Sequence, residues 1–223
     1  MNKAVSLLIP GDKEVAVFLA RVDVFPETLV SVEETSRADS MSSTATRRGF
    51  LSGRRLVRNL LSRWFSVDSI NLPIRLSSHG RPYLDGESYP RFSISHSGDL
   101  VMVAFSGEEV GADLELERSL DMTALSSRFF SDEEARLVRE QESIQTFFRL
   151  WTCREAAIKA DGRGMAKLLG LTKVNASCQQ GDCLNVEIGN DIWMVSHRVV
   201  DPAYHLAVAT KKRSSLIRWC DLR

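Results

Sequence analysis

Asp113 and Glu115 stand two apart in Val110-Gly111-Ala112-Asp113-Leu114-Glu115-Leu116, and Glu155 and Lys159 stand four apart in Trp151-Thr152-Cys153-Arg154-Glu155-Ala156-Ala157-Ile158-Lys159. Those spacings are the two periods of regular backbone. In a strand alternate side chains share a face, so Asp113 and Glu115 project together while Ala112, Leu114 and Leu116 face the other way. In a helix residues four apart lie one above the other, so Trp151, Glu155 and Lys159 share a stripe. Side-by-side carboxylates repel unless a cation lies between them, and an all-oxygen donor set suits Mg²⁺ or Mn²⁺. Glu155 can join such a set while Lys159 serves a phosphate. Taken singly, the first stretch also reads as a solvated strand face and the second as a surface ion pair worth a few tenths of a kcal/mol.

A third stretch, Arg91-Phe92-Ser93-Ile94-Ser95-His96-Ser97-Gly98, follows Gly80-Arg81-Pro82-Tyr83-Leu84. A strand ending in His-Ser-Gly collects an imidazole, hydroxyls and turn N–H groups at one edge, and all of them can donate to an anion. A lone histidine at a strand end serves structure as readily.

Taken together, Gly80-Arg81-Pro82, Phe92-Ser93-Ile94-Ser95-His96-Ser97, Gly111-Ala112-Asp113-Leu114-Glu115 and Trp151-Thr152-Cys153-Arg154-Glu155-Ala156-Ala157-Ile158-Lys159 with Gly162 and Gly164 resemble the signatures of the phosphopantetheinyl transferases. The order and separations are those of the longer, monomeric type that activates carrier domains of polyketide and nonribosomal peptide synthetases. The resemblance spans roughly residues 47 to 165. At one position the chain departs from the family, which usually has Lys before the motif glutamate. Arg154 stands there, keeping the charge but presenting a planar fork in place of a point charge.

The resemblance implies transfer of the 4′-phosphopantetheine arm of coenzyme A to a serine of an apo acyl or peptidyl carrier protein, with release of adenosine 3′,5′-bisphosphate. It implies that Asp113, Glu115 and Glu155 hold Mg²⁺, with Mn²⁺ an alternative. Glu155 and Lys159 become the catalytic pair: Lys159 donates to the phosphate being transferred, and Glu155 takes the serine proton, directly or through a water. His96, Ser97, Arg81 and Arg154 fall in the coenzyme A site, and Arg48, with Arg47 close behind, contacts the 3′-phosphate. An acidic carrier helix is expected to meet basic and apolar surface near Met165, Leu168 and Leu169. Two rival readings are a catalytically silent relative that only binds coenzyme A or a carrier, and a Mg²⁺-dependent phosphohydrolase.

The elements that must position these residues are readable from periodicity. Apolar spacing from about Glu142 to Gly162 predicts one helix, and Phe50, Leu51, Leu56, Val57, Leu60, Leu61 and Trp64 predict another over 47–65, whose six arginines read as a solvated basic face. Ser131-Asp132-Glu133-Glu134 has the capping-box pattern of a helix start. A short helix is expected over 30–36 within an otherwise loop-rich 26–46. Runs rich in Val, Leu, Ile and Phe at 4–9, 15–24, 74–76, 82–84, 100–105, 110–116, 171–173, 184–188, 192–200, 204–210 and 216–220 predict strands, with Ser106-Gly107-Glu108-Glu109 as a hairpin-like turn. The order suggests an α+β fold of two similar lobes related by a pseudo-twofold, 1–112 and 113–223, each a small antiparallel sheet packed with helices around a shared cleft.

Composition adds limits. The chain has 223 residues, with Lys and Arg totalling 29 and Asp and Glu totalling 29, so no global charge argues for nucleic acid or a membrane surface. The four cysteines show no zinc spacing, which favours free thiols in a reducing cytoplasm. The expectation is a soluble, cytoplasmic monomer.

Overall fold

The structure, a computed structural model, describes residues 9–11, 13–86, 88–180, 183–200, 203–211 and 216–223, leaving aside the side chains of 165, 166 and 176–180. The strand expected at 4–9 lies almost entirely outside the described residues, as do the side chains of Met165 and Cys178.

The first half of the chain gives β1 (Glu14–Arg21), α1 (Val32–Asp39), α2 (Thr44–Phe65), β2 (Ile74–Leu76), β3 (Pro82–Leu84), β4 (Arg91–Ser97) and β5 (Leu100–Ser106). Then follow β6 (Val110–Leu116), α3 (Met122–Phe129), α4 (Asp132–Gln141), α5 (Ile144–Asp161), the short α6 (Met165–Leu168), β7 (Thr172–Gln180), β8 (Cys183–Ile188), β9 (Asp191–Val200), β10 (Tyr204–Thr210) and β11 (Leu216–Asp221). One sheet has the order β11-β1-β5-β4, another β6-β10-β9-β8-β7, and β2 and β3 form a separate two-stranded hairpin.

The described elements stack in four layers: α2, the first sheet, the second sheet, α5. Leu56, Val57, Leu60 and Leu61 of α2 pack on Phe18, Val101, Val103 and Phe105 of the first sheet. The opposite face of that sheet, with Val15, Val17, Met102 and Ala104, packs on Ala112, Leu114, Leu206 and Val208 of the second. The far face of the second sheet meets Phe148, Cys153, Ala156, Ala157 and Ala160 of α5. A strand between two cores is apolar on both faces, and β5 is therefore buried along its whole length. Each fully buried Leu, Val or Phe contributes about 1.5–3 kcal/mol.

The α+β class is borne out, with three differences in detail. The turn at 106–109 does not close a hairpin, because β5 lies in the first sheet and β6 in the second. It carries the chain between sheets, and β6 instead runs beside β4. The first sheet is mixed, since β11 pairs with β1 in parallel, Glu14 opposite Leu216. Consequently the last strand of the chain sits in the sheet of its first half, and a boundary at 112/113 would cut through β6.

The basic helix also differs from a solvated face. Arg54 and Arg58 are buried, and both turn to the carboxylate of Glu34 on α1, Arg58 Nε at 2.8 Å and Arg54 Nε at 3.7 Å. Glu34 is the third residue of a capping box with Ser31. The same device recurs in the second half: Ser131 and Glu134 form a capping box at the start of α4, and Glu134 pairs with Arg154 on α5. Glu134 thus holds one arginine, 20 residues further on, where Glu34 holds two, Arg54 at the same interval and the closer Arg58 at 24.

Candidate active site

The site forms where β4, β6 and α5 meet. Residue 111 faces α5, and a Cβ there would overlap the backbone of Ala156 and Ala160. Glycine at this point lets β6 lie directly on α5, and the alternation of the strand then aims Asp113 and Glu115 at the same helix. α5 is capped by Ser143 and stopped by Gly162, whose φ of 79° places it in the left-handed region. Glu155 and Lys159 lie one turn apart on the side facing the strand.

Asp113, Glu115 and Glu155 each offer an oxygen within 4.8 Å of the others. Lys159 Nζ reaches Asp113 Oδ1 at 2.5 Å and Ser95 Oγ at 3.0 Å. Three carboxylates this close are not the solvated strand face that β6 alone would suggest: Asp113 is 1% exposed. Burial and the charge of Asp113 push the pKa of Glu155 up to about 8. Burial and Asp113 likewise raise that of Glu115. Burial pulls the Lys159 ammonium down, but Asp113 and Glu155 outweigh it and hold its pKa above the usual lysine value. Burial, followed by the charge of Lys159, lowers His96, which is therefore a neutral imidazole at pH 7.

The donor set fits a hard divalent cation. It consists of carboxylate oxygens from two elements, and Asp113 Oδ2 is buried without a hydrogen-bond partner. Lys159 on Asp113 and Arg118, whose Nη1 pairs with Glu115 Oε2 at 2.8 Å, offset only part of the negative charge.

The other expected residues fall in different places. Ser97 donates to Glu115 Oε2 at 3.3 Å and accepts from the N–H of Leu116. His96 packs against Gly49 of α2, where any side chain would overlap the imidazole. Arg48 lies next to that contact; its guanidinium is exposed and pairs with Asp23 at 2.5 Å. Arg47 is tied to α1 through the carbonyl of Ala38 and the carboxylate of Asp39. A cavity of about 290 Å³ lined by Phe50, Arg54, Pro82, His96, Ile158 and Lys159 opens beside the carboxylates.

Arg154 is placed away from the expected phosphate contact, whereas Arg81 lies at the cavity with several of its donors engaged. Arg154 is 0% exposed, with Nη2 held by both oxygens of Glu134 at 2.7 Å and Nη1 held by the carbonyls of Leu169 and Thr172. Those partners take the four Nη hydrogens, and the remaining Nε–H is buried without a partner, so no donor of Arg154 is exposed to a phosphate; Arg154 ties α5 to α4 and β7. Arg81 lines the cavity, but its Nη1 donates to the carbonyl of Ala160 and pairs with Glu109, and its Nη2 donates to the carbonyl of Val110. It joins the β2–β3 turn to the end of α5. On the surface expected to receive a carrier, Leu168 is 3% exposed and belongs to the core, whereas Leu171 is 62% exposed.

Sequence reasoning gave Ser93, Ser95, Gly111 and Glu134 no role of their own in the site. Ser95 donates to Asp113 Oδ1 at 2.9 Å and Ser93 accepts from the N–H of Ala112 at 3.0 Å. The available signal was alternation: Ser93, Ser95 and Ser97 are every second residue of one strand.

A family model described as the 4′-phosphopantetheinyl transferase superfamily matches residues 109–209. A second, described as the N-terminal part of 4′-phosphopantetheinyl transferase, matches residues 24–108. Over 147 residues the chain is 35% identical to 4′-phosphopantetheinyl transferase HetI of Nostoc sp., covering 62% of each protein. It is 29% identical over 163 residues to 4′-phosphopantetheinyl transferase Sfp of Bacillus subtilis, covering 71% of each. With 4′-phosphopantetheinyl transferase psf-1 of Bacillus pumilus it shares 28% over 188 residues, 82% of this chain and 79% of the relative. Two matches that meet end to end and a site built by both segments lead to one assignment: the chain belongs to the 4′-phosphopantetheinyl transferase superfamily, with the longer type represented by HetI and Sfp.

Proposed function

We propose that the protein transfers the 4′-phosphopantetheine arm of coenzyme A to a serine hydroxyl of an apo acyl or peptidyl carrier protein. The observation that carries this reading is the meeting of Asp113, Glu115, Glu155 and Lys159 from two elements at one point. In the reaction the serine oxygen forms a bond to the β-phosphorus, the bond from that phosphorus to the bridging oxygen breaks, and adenosine 3′,5′-bisphosphate leaves with the electron pair. Such transfer depends mainly on positioning and electrostatics.

Asp113, Glu115 and Glu155 would hold Mg²⁺, or Mn²⁺, which when bound supplies positive charge to the pyrophosphate. Lys159 donates to the phosphate being transferred. His96, neutral, donates an N–H to the phosphate region without adding charge. Glu155 is the candidate to receive the serine proton. Arg48, next in sequence to the Gly49 that packs on His96 and more exposed than Arg47, is the choice for the 3′-phosphate, which would draw it from Asp23. The working unit in this reading is a cytoplasmic monomer of two lobes that meet along β4 and β6, and the free thiols of Cys153, Cys183 and Cys220 suit a reducing compartment.

Incubation with coenzyme A, Mg²⁺ and an apo carrier protein, followed by mass measurement of the carrier, tests the proposal. The expected result is a phosphopantetheine adduct. An unchanged carrier, with coenzyme A either bound or hydrolysed, refutes transfer. Asp113→Ala and Glu155→Gln should abolish the adduct while retaining native circular dichroism, and Lys159→Ala should lose rate far more than melting temperature.

A further inference from the structure

β4 and β6 are neighbours that share no backbone ladder, since each is the edge strand of a different sheet. Side-chain hydroxyls take the place of that ladder. Ser93 Oγ accepts from the N–H of Ala112 at 3.0 Å, and Ser97 Oγ accepts from the N–H of Leu116 at 3.0 Å. These two hydroxyls satisfy two N–H groups on the edge of β6 that faces β4. Ser95, midway between them and as buried as Ser93, does something different: its Oγ donates to Asp113 Oδ1 at 2.9 Å and accepts from Lys159 Nζ at 3.0 Å. Ser97 has a second bond, to Glu115 Oε2 at 3.3 Å, an oxygen that Arg118 Nη1 also holds at 2.8 Å. Both carboxylates that β6 contributes are thus held by hydroxyls of β4, while Asp113 Oδ2 stays buried without a partner.

From this geometry we propose that Ser95 and Ser97 are positioning residues that set which oxygens of Asp113 and Glu115 face the cation. The inference rests on the metal reading above and deepens it. A carboxylate that can rotate presents either oxygen, and ordering it on binding costs affinity; a hydroxyl fixed to one oxygen leaves the other presented in advance. For Asp113 the argument is direct, because one oxygen is fully engaged by Ser95 and Lys159 and the other by nothing. When Lys159 turns to a phosphate, Ser95 alone keeps Oδ1 in place. Ser93 provides an internal control, since it belongs to the same seam and touches neither carboxylate.

The test is Mn²⁺ binding to the full chain without coenzyme A, followed by electron paramagnetic resonance or calorimetry, with melting temperatures recorded for each variant. Ser95→Ala should weaken Mn²⁺ binding by about 10- to 100-fold. Ser97→Ala, which loses a longer bond, should weaken it less. Ser93→Ala should lower the melting temperature by as much as Ser95→Ala yet bind Mn²⁺ as the wild type does. Equal Mn²⁺ affinity in Ser95→Ala and wild type overturns the inference alone, as does an equal loss in Ser93→Ala. Failure of the wild type to bind Mn²⁺ overturns the proposed metal site and this inference with it.

Discussion

Removing Glu134 would leave the Arg154 guanidinium charged in a dry site between α4, α5 and β7. Deleting one partner of a buried pair costs about 3–5 kcal/mol, because the remaining charge keeps its desolvation penalty without its compensation. Arg154→Ala and Glu134→Ala are each expected to lose about that much in urea unfolding, and the double variant to lose less than the sum. Coenzyme A should bind the folded fraction of Arg154→Ala as tightly as wild type, as measured by calorimetry. Marked loss of coenzyme A affinity would restore the phosphate role suggested by the sequence. That role was a reasonable reading of an arginine beside Glu155, because charge and spacing are visible in a sequence and the partner is not. Glu134 was legible only as a cap residue, and nothing in Ser131-x-x-Glu134 says which helix will later cover it. The three carboxylates and Lys159 were legible because each pair obeys the period of its own element.

At the scale of elements, the contact of β6 with α5 depends on the missing side chain at residue 111. Gly111→Ala would press a methyl group into the backbone of α5, which cannot move aside as a side chain can. Overpacking typically costs about 1–3 kcal/mol, and this site should lie at or above the upper end. Because the same contact sets the distance from Asp113 to Glu155, Mn²⁺ affinity should fall together with melting temperature. Normal affinity in a destabilised Gly111→Ala would separate the two.

β9 and β10 carry another element-scale feature, a partly buried chain in which His197 Nε2 meets His205 Nδ1 at 3.0 Å and His205 Nε2 meets Glu117 at 2.8 Å. Burial first, then His205 and Arg149, lower the pKa of His197 to about 3. The unfolded chain takes up this proton near pH 6.5 and the folded one does not, so stability is complete above that value and declines as pH falls from 6.5 toward 3. His197→Gln should flatten the decline between pH 6.5 and 5 by up to about 1.4 kcal/mol per pH unit, measured by urea unfolding at each pH. An unchanged slope would exclude His197 as its source.

For the whole molecule, the strand pattern was legible nearly throughout, whereas the assignment of strands to sheets was not. Short polar turns such as 106–109 look alike whether they reverse a chain within one sheet or pass it to the next, and only the two buried faces of β5 distinguish these cases. β11 was read correctly as a strand and then placed with its sequence neighbours, although it pairs with β1. Truncation after residue 210 should therefore harm the first sheet. The expected result in hydrogen exchange is lost amide protection in β1, with protection in β8 and β9 kept. Preferential loss in the second sheet would contradict the pairing.

That parallel pairing also bears on how the protein is made. β1 pairs with a strand about 200 residues further along the chain, so during synthesis it stays uncovered on one side until β11 follows. Vectorial folding can complete the β7–β10 meander earlier than the sheet begun by β1, and a chaperone that shields an apolar edge would be most useful during that delay.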